Sequence, residues 1–139
     1  MLIDTHSHLF EEEFDADRHE AVERAERAGV ERIVLPAIER SSNERLFEMC
    51  REYPHLAVPL MGLHPTSINE NPDWREELHE VERWLTTPPA GVERFYGVSG
   101  RANATTAKAV IGSTNKHFKR AHRLDFFWFI IVTRLVSKL

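Results

Sequence analysis

Two hydrophobic rhythms alternate along the first hundred positions. Leu2 and Ile3 form a short apolar start that runs into Asp4-Thr5-His6-Ser7-His8, and they predict a buried strand over residues 2–6. Ala21, Val22, Ala25 and Ala28 then recur at helical spacing. Asp17 with Glu20 three later reads as a capping-box start, and Gly29 as a left-handed C-cap. Residues 31–37 (ERIVLPA) suit a buried parallel strand. Ser41 and Glu44 open a second helix with the S-x-x-E signature, whose apolar stripe is Leu46, Phe47, Met49, Cys50 and Tyr53, and Pro54 stops it. A third apolar run, residues 56–63 (LAVPLMGL), precedes a third helix that starts around Asp73 and Glu76. Leu78, Val81, Trp84 and Leu85 form that helix's expected buried face, and residues 92–98 (VERFYGV) read as a fourth strand.

Strands alternating with helices imply an α/β fold with parallel strands and right-handed crossovers. No G-x-G-x-x-G follows the first strand, which argues against a dinucleotide-binding fold. Histidines stand instead where strands one and three end. Chemistry at the carboxyl ends of several strands is how a (β/α)₈ barrel builds its site. The expected architecture is a partial TIM-type barrel of about four βα units.

His6 and His8 are two apart, so at strand period they face one point in space, which suits two ligands of one metal ion. Imidazole is the commonest protein ligand for such ions. Asp4 shares their parity and is placed to orient a ligand from behind. The alternative is a strand followed by two solvated loop histidines; the position after an apolar strand favours the metal. His19, His55 and His79 sit in polar contexts, and Glu11-Glu12-Glu13 reads as a solvated face. His117 and His122 are five apart, not the four that would put both on one helix face, and read as surface residues. Trp74 and Trp84 fit helix packing.

Composition narrows the class. With 139 residues, 42% of them hydrophobic and 29% charged, the chain reads as soluble and globular. A lone cysteine, Cys50, excludes an internal disulfide framework and points to a reducing, cytoplasmic compartment. No signal peptide is expected, because acids and histidines occupy the place of an apolar h-region. Charge divides the chain: residues 1–98 carry 10 basic and 21 acidic residues, and residues 99–139 carry eight basic and one acidic.

The motif Asp4-Thr5-His6-Ser7-His8, Ala28-Gly29-Val30 before the second strand, and Gly62-Leu63-His64-Pro65 together resemble the TatD family. These are metal-dependent hydrolases of the amidohydrolase-like barrel type, typically described as deoxyribonucleases. The resemblance covers residues 1 to about 98. It implies that His6 and His8 bind one metal, and that His64 lies near the metals and contacts the substrate phosphate or a group on the metal. It implies a divalent ion (Mg, Mn or Zn), and a nucleic acid substrate on resemblance alone, since the acidic body offers no positive groove. The family's fourth strand ends in Gly-Glu, whereas this chain reads Tyr96-Gly97-Val98-Ser99. The histidines of strands five and six and the aspartate of strand eight also fail to appear. A complete barrel takes roughly 250 residues. The resemblance therefore implies half a barrel with no complete catalytic set, weakly active or inactive as written. The alternatives are a fragment of a PHP-type phosphoesterase, which also opens with H-x-H, and a non-catalytic half-barrel interaction module.

From Ser99 the text changes. Residues 101–115 are small and polar, 116–123 (KHFKRAHR) are basic, and 126–132 (FFWFIIV) form one apolar run of seven, too short for a bilayer span of ~20 residues. Residues 99–139 are thus expected to be a separate tail, with no membrane anchor. Three readings stay open: family sequence interrupted near Val98 by frameshift or truncation, a basic and aromatic tail for nucleic acid or anionic surfaces, or an ordinary C-terminal cap. An open half-barrel is also expected to self-associate through exposed apolar edges.

Overall fold

The computed structural model describes residues 2–64 and 72–99. Its four strands are β1 (Leu2–Asp4), β2 (Val30–Pro36), β3 (Ala57–Gly62) and β4 (Gly97–Ser99), joined in the order β1-β2-β3-β4. Every pairing is parallel, with Asp4 beside Ile33, Ile33 beside Ala57, and Leu60 beside Gly97. Helix α1 (Arg18–Arg27) follows β1, α2 (Asn43–Glu52) follows β2, and α3 (Trp74–Thr86) follows β3. Each helix returns the chain to the next strand along, and the running order never reverses. That is how a barrel begins, and a doubly wound sheet differs from it by having a switch point. The fold is a partial TIM-type α/β barrel.

The core lies between the sheet and the helices. All five residues of the expected α2 stripe are buried. They meet Ile33 and Leu35 from β2, Ala57 and Met61 from β3, Val22 from α1 and Val81 from α3. Phe47 is the hub, with its ring edge-on to Trp84 (centroids 5.3 Å apart) and to Phe95 (5.9 Å). Burial of each such side chain is worth roughly 1.5–3 kcal/mol, and this fixes the helix layer against the sheet.

The chain departs from the sequence expectations at four places. First, β1 stops at Asp4 and is not buried: Leu2 is 56% and Ile3 48% exposed. Among the described residues β1 pairs with β2 alone, so it is an edge strand with one uncovered flank.

Second, none of the helix starts expected at Asp17, Ser41 and Asp73 forms a side-chain cap; α2 takes Ser42 as its N-cap, and the Ser41 hydroxyl donates to the Glu39 carboxylate instead. Ser42 and Asp73 have ψ of −6° and 18°, and Asp17 has 16°, instead of the extended backbone that aims a cap at the first amides. A single 3₁₀ turn, Arg40–Ser42, precedes α2, and the Ser42 hydroxyl donates to the Glu39 carbonyl at 3.1 Å. Asp17 instead pairs with Arg24 at 3.5 Å. The Gly29 C-cap is present, with φ +87° and its N–H donating to the Glu26 carbonyl.

Third, α3 buries Glu77 rather than Leu78. Glu77 is 3% exposed because its carboxylate accepts the Arg40 backbone N–H. Fourth, β4 covers only residues 97–99. Val92 and Phe95 are buried as irregular chain, and the Tyr96 N–H reaches the Pro59 carbonyl at 2.9 Å. The expectations for residues 101–139, His117 and His122 among them, lie outside the described residues.

Candidate metal centre

The parallel sheet puts the ends of β1, β2 and β3 at one mouth. Past β1 the chain stays on the sheet for one more contact, the Ser7 N–H donating to the Val34 carbonyl at 2.9 Å. His6 and His8 flank that contact. Their Nε2 atoms lie 3.1 Å apart and their rings meet edge to face at 4.8 Å. Asp4 Oδ1 accepts the His6 backbone N–H at 3.1 Å, so it touches the main chain of His6 rather than an imidazole. At the end of β3, the His64 N–H donates to the Ile38 carbonyl at 3.3 Å, tying the β2 and β3 loops together.

Electrostatics set the state of His8. Burial holds its pKa below the ordinary histidine value, the His6 imidazole lowers it further, and His64 adds a smaller push the same way. The Pro36 carbonyl pulls in the opposite direction. At neutral pH the ring is therefore uncharged, as a metal ligand must be. Its Nδ1 is buried without an aligned hydrogen-bond partner.

Three residues near the mouth carried no functional expectation. Phe10 is 1% exposed and presents its ring edge-on to His8, with centroids 5.7 Å apart. Arg18 of α1 and Arg45 of α2 converge on the loop that holds Phe10. One sequence signal could have flagged Arg18: a cation in the first turn of a helix opposes the macrodipole, so it implies another task. Phe10 was similarly visible as a large apolar residue in an acidic loop.

The remaining titratable groups stand apart. His19 meets Tyr53 and Glu23, and His55 meets Glu26. Glu12 and Glu13 are exposed, but Glu11 is half-buried with Oε1 unpartnered. The Cys50 thiol is pushed up to about 12 by burial, which removes it as nucleophile or ligand near neutral pH.

Two ligand nitrogens at ~2.1 Å from a common ion lie roughly 3–3.4 Å apart, depending on the coordination angle. The 3.1 Å between the two Nε2 atoms fits that requirement. Among the described residues no group of three or more His, Cys, Asp or Glu side chains comes together. The donors present thus fit part of a metal's coordination shell.

The running parallel sheet, with imidazoles at its carboxyl mouth, defines the class as the beginning of a (β/α) barrel that carries its chemistry on the strand-end loops. The family profile described as TatD related DNase matches residues 3–124, running past Val98. An uncharacterized metal-dependent hydrolase of Bacillus subtilis, YabD, is 35% identical over 103 residues, covering 71% of this chain and 40% of YabD. A human protein named as a deoxyribonuclease is 31% identical over 64 residues, 46% of this chain and 23% of its own length. The crystal structure of the TatD homologue YjjV from Escherichia coli superposes with a TM-score of 0.60 at 25% identity, over 90% of this chain and 48% of that one. The chain belongs to the TatD family of metal-dependent hydrolases. It spans less than half the length of these relatives. No helix among the described residues is long and apolar enough to cross a membrane.

Proposed function

We propose that this chain carries the first metal-ligand pair of a hydrolase acting on phosphodiester bonds of DNA, and that as a 139-residue polypeptide it binds a divalent ion but turns over weakly. The observation that carries this reading is the approach of His6 Nε2 to His8 Nε2, at 3.1 Å, at the mouth of a parallel sheet. His6 and His8 hold the ion. Asp4, by fixing the His6 main chain, sets where that ring starts. His64, on the neighbouring loop, faces the substrate phosphate. The chemistry such an ion supplies is polarisation of a phosphoryl oxygen and activation of water near neutral pH. A catalytic zinc site takes three protein ligands, and the described residues bring together two imidazoles. Weak turnover is the activity that two imidazoles alone support.

Elemental analysis after loading with Zn²⁺, Mn²⁺ or Co²⁺ tests the binding half. Bound metal near one ion per chain, lost in both His6→Ala and His8→Ala, is expected. An absence of uptake, or uptake that neither variant changes, overturns the reading. Hydrolysis of single-stranded DNA and of bis(p-nitrophenyl) phosphate tests the chemical half. A slow, metal-dependent rate abolished by His6→Ala is expected. Turnover in the ordinary enzyme range of roughly 1–10³ s⁻¹ would contradict the weak-activity part.

One observation favours a second reading, a non-catalytic interaction module: Leu2 and Ile3 leave an apolar strand edge open. Metal uptake unaffected by the histidine variants, together with self-association, would select it.

A further inference from the structure

We propose that Arg18, Asp15 and Arg45 form a clamp that positions the His8 imidazole through Phe10, and so sets the metal affinity of the site. The proposal rests on reading His6 and His8 as metal ligands.

The sheet holds His8 only in part. The last main-chain contact that ties the β1 segment to β2 is made by the Ser7 N–H, and beyond it only the Pro36 carbonyl at the end of β2 reaches the His8 imidazole. From there its main chain is held by a turn, with the His8 carbonyl accepting the Glu11 N–H at 2.9 Å. Its ring rests against the edge of Phe10, and Nδ1 has no aligned hydrogen bond to fix the rotation. A histidine ligand is ordinarily held by a hydrogen bond to its other nitrogen. Here the Pro36 carbonyl is near but not aligned, and packing against the Phe10 ring adds the constraint on rotation.

The turn itself is held by two arginines from different helices. Arg18 Nε donates to the Leu9 carbonyl at 2.6 Å, and its Nη2 donates to the Glu11 carbonyl at 2.9 Å. Arg45 Nε donates to the Phe10 carbonyl at 3.0 Å, and Arg18 Nη2 reaches the same oxygen at 3.3 Å. Asp15 Oδ1 accepts from both guanidinium groups and locks them side by side. Three consecutive carbonyls are thereby pinned to α1 and α2, the two helices packed on β2 and its neighbours. The Phe10 ring enters the core, where it is almost fully buried. Rigid helices therefore reach the ligand in three steps: guanidinium to carbonyl, Phe10 ring to imidazole edge, imidazole to ion.

The fork geometry of arginine is required. Each guanidinium spans a main-chain carbonyl and a carboxylate at once in a rigid planar fork, a geometry that a compact ammonium does not reproduce. The Nε and Nη2 donors of both cations go to the loop and to Asp15. Their role is thus positioning and not catalytic.

Cobalt titration of the 139-residue chain, followed by visible absorption, reads the affinity without any turnover. The expected result for Arg18→Met/Arg45→Met is a loss of roughly 10–100-fold, the range typical when the groups behind a metal ligand are removed, with the melt still cooperative. Arg45→Lys, which keeps the charge and loses the fork, should bind cobalt more weakly than the wild type; wild-type affinity in a folded Arg45→Lys chain would overturn the need for the fork. Long-range ¹H–¹⁵N spectra of the metal-free protein should show the His8 ring signals displaced in the double variant and those of His55 unmoved. Unchanged cobalt affinity in a folded double variant overturns the clamp. If that variant does not fold, Phe10→Leu decides: it keeps the clamp and the apolar burial and removes the ring edge, so weakened binding supports the proposal and wild-type binding overturns it. A wild-type chain that takes up no cobalt would remove the ligand reading first, and the clamp with it.

Discussion

Glu77 Oε1 accepts the Arg40 backbone N–H at 2.7 Å, so the helix that follows β3 holds the loop that follows β2. The contact is reinforced at the surface, where the Arg40 guanidinium pairs with Glu80 at 2.9 Å. A buried carboxylate at a backbone amide makes a charge-assisted bond, and such bonds contribute about 1.5–3 kcal/mol. Glu77→Ala should therefore lower unfolding free energy by roughly 2 kcal/mol, read from urea denaturation midpoints at unchanged slope. Glu77→Gln keeps an acceptor oxygen and should lose less. Equal losses in the two variants would mean that the charge of the carboxylate, and not the acceptor oxygen that Gln retains, is what matters there.

Gly91 makes the turn that leads into Val92 and Phe95, with φ of +81°. A β-carbon there would stand 2.7 Å from Arg51 Cγ and 2.8 Å from Cδ. The left-handed backbone costs a non-glycine residue about 1–2 kcal/mol, and the Arg51 stem must also move. Gly91→Ala should lower the melting temperature by several degrees. Gly29→Ala, at φ +87° but with its nearest contact at 4.0 Å, should cost the backbone term alone. A ranking in which Gly29→Ala is the worse of the two would contradict the role given to Arg51.

The layer order was legible because it rests on local period. The α2 stripe from Leu46 to Tyr53 repeats at helical spacing, and every member is buried. The apolar runs of β2 and β3 mark parallel strands for the same reason. The capping boxes misled because a cap needs an extended backbone at one residue, whereas Asp17 and Asp73 have ψ near zero and Ser41 lies inside the 3₁₀ turn before α2. β1 looked buried because Leu2 and Ile3 are apolar, but burial of an edge strand depends on a neighbour that its own residues do not encode. At the site, the H-x-H spacing was enough to bring His6 and His8 to notice. The clamp was not legible, since Arg45 meets Asp15 across thirty positions of chain, and only the fold brings them together.

Protonation should leave two signatures in acid. His8 has a lowered pKa in the folded chain, chiefly through burial and then through His6. The unfolded chain therefore binds more protons than the folded one between the folded pKa and about 6.5. Stability rises with pH across that window and falls as acid is added through 6.5. Asp15 is depressed chiefly by its bond to Arg45, then by Arg18. Its contribution is present above the unfolded value near ~3.9 and is lost as pH falls through the lower folded value. Thermal melts from pH 8 to pH 3 should thus show two separate declines. His8→Asn should flatten the first and leave the second, and Asp15→Asn the reverse.

The uncovered flank of β1 makes a prediction about mass. Among the described residues Leu2 and Ile3 are the large apolar side chains that stand exposed, and they lie on an edge whose main-chain groups face no second strand. Such an edge is a template for another strand. A second copy of the chain is the partner always present, so a 139-residue chain of 16.1 kDa should sediment and scatter as a species heavier than one protomer at tens of micromolar, and lighten on dilution. Ile3→Lys places a charge on the edge, the device by which natural edge strands avoid pairing, and should shift the population toward 16.1 kDa without moving cobalt affinity by more than about twofold. A wild-type mass that stays at one protomer over the whole range, or a heavier species indifferent to Ile3→Lys, would show that the β1 edge is not where copies meet.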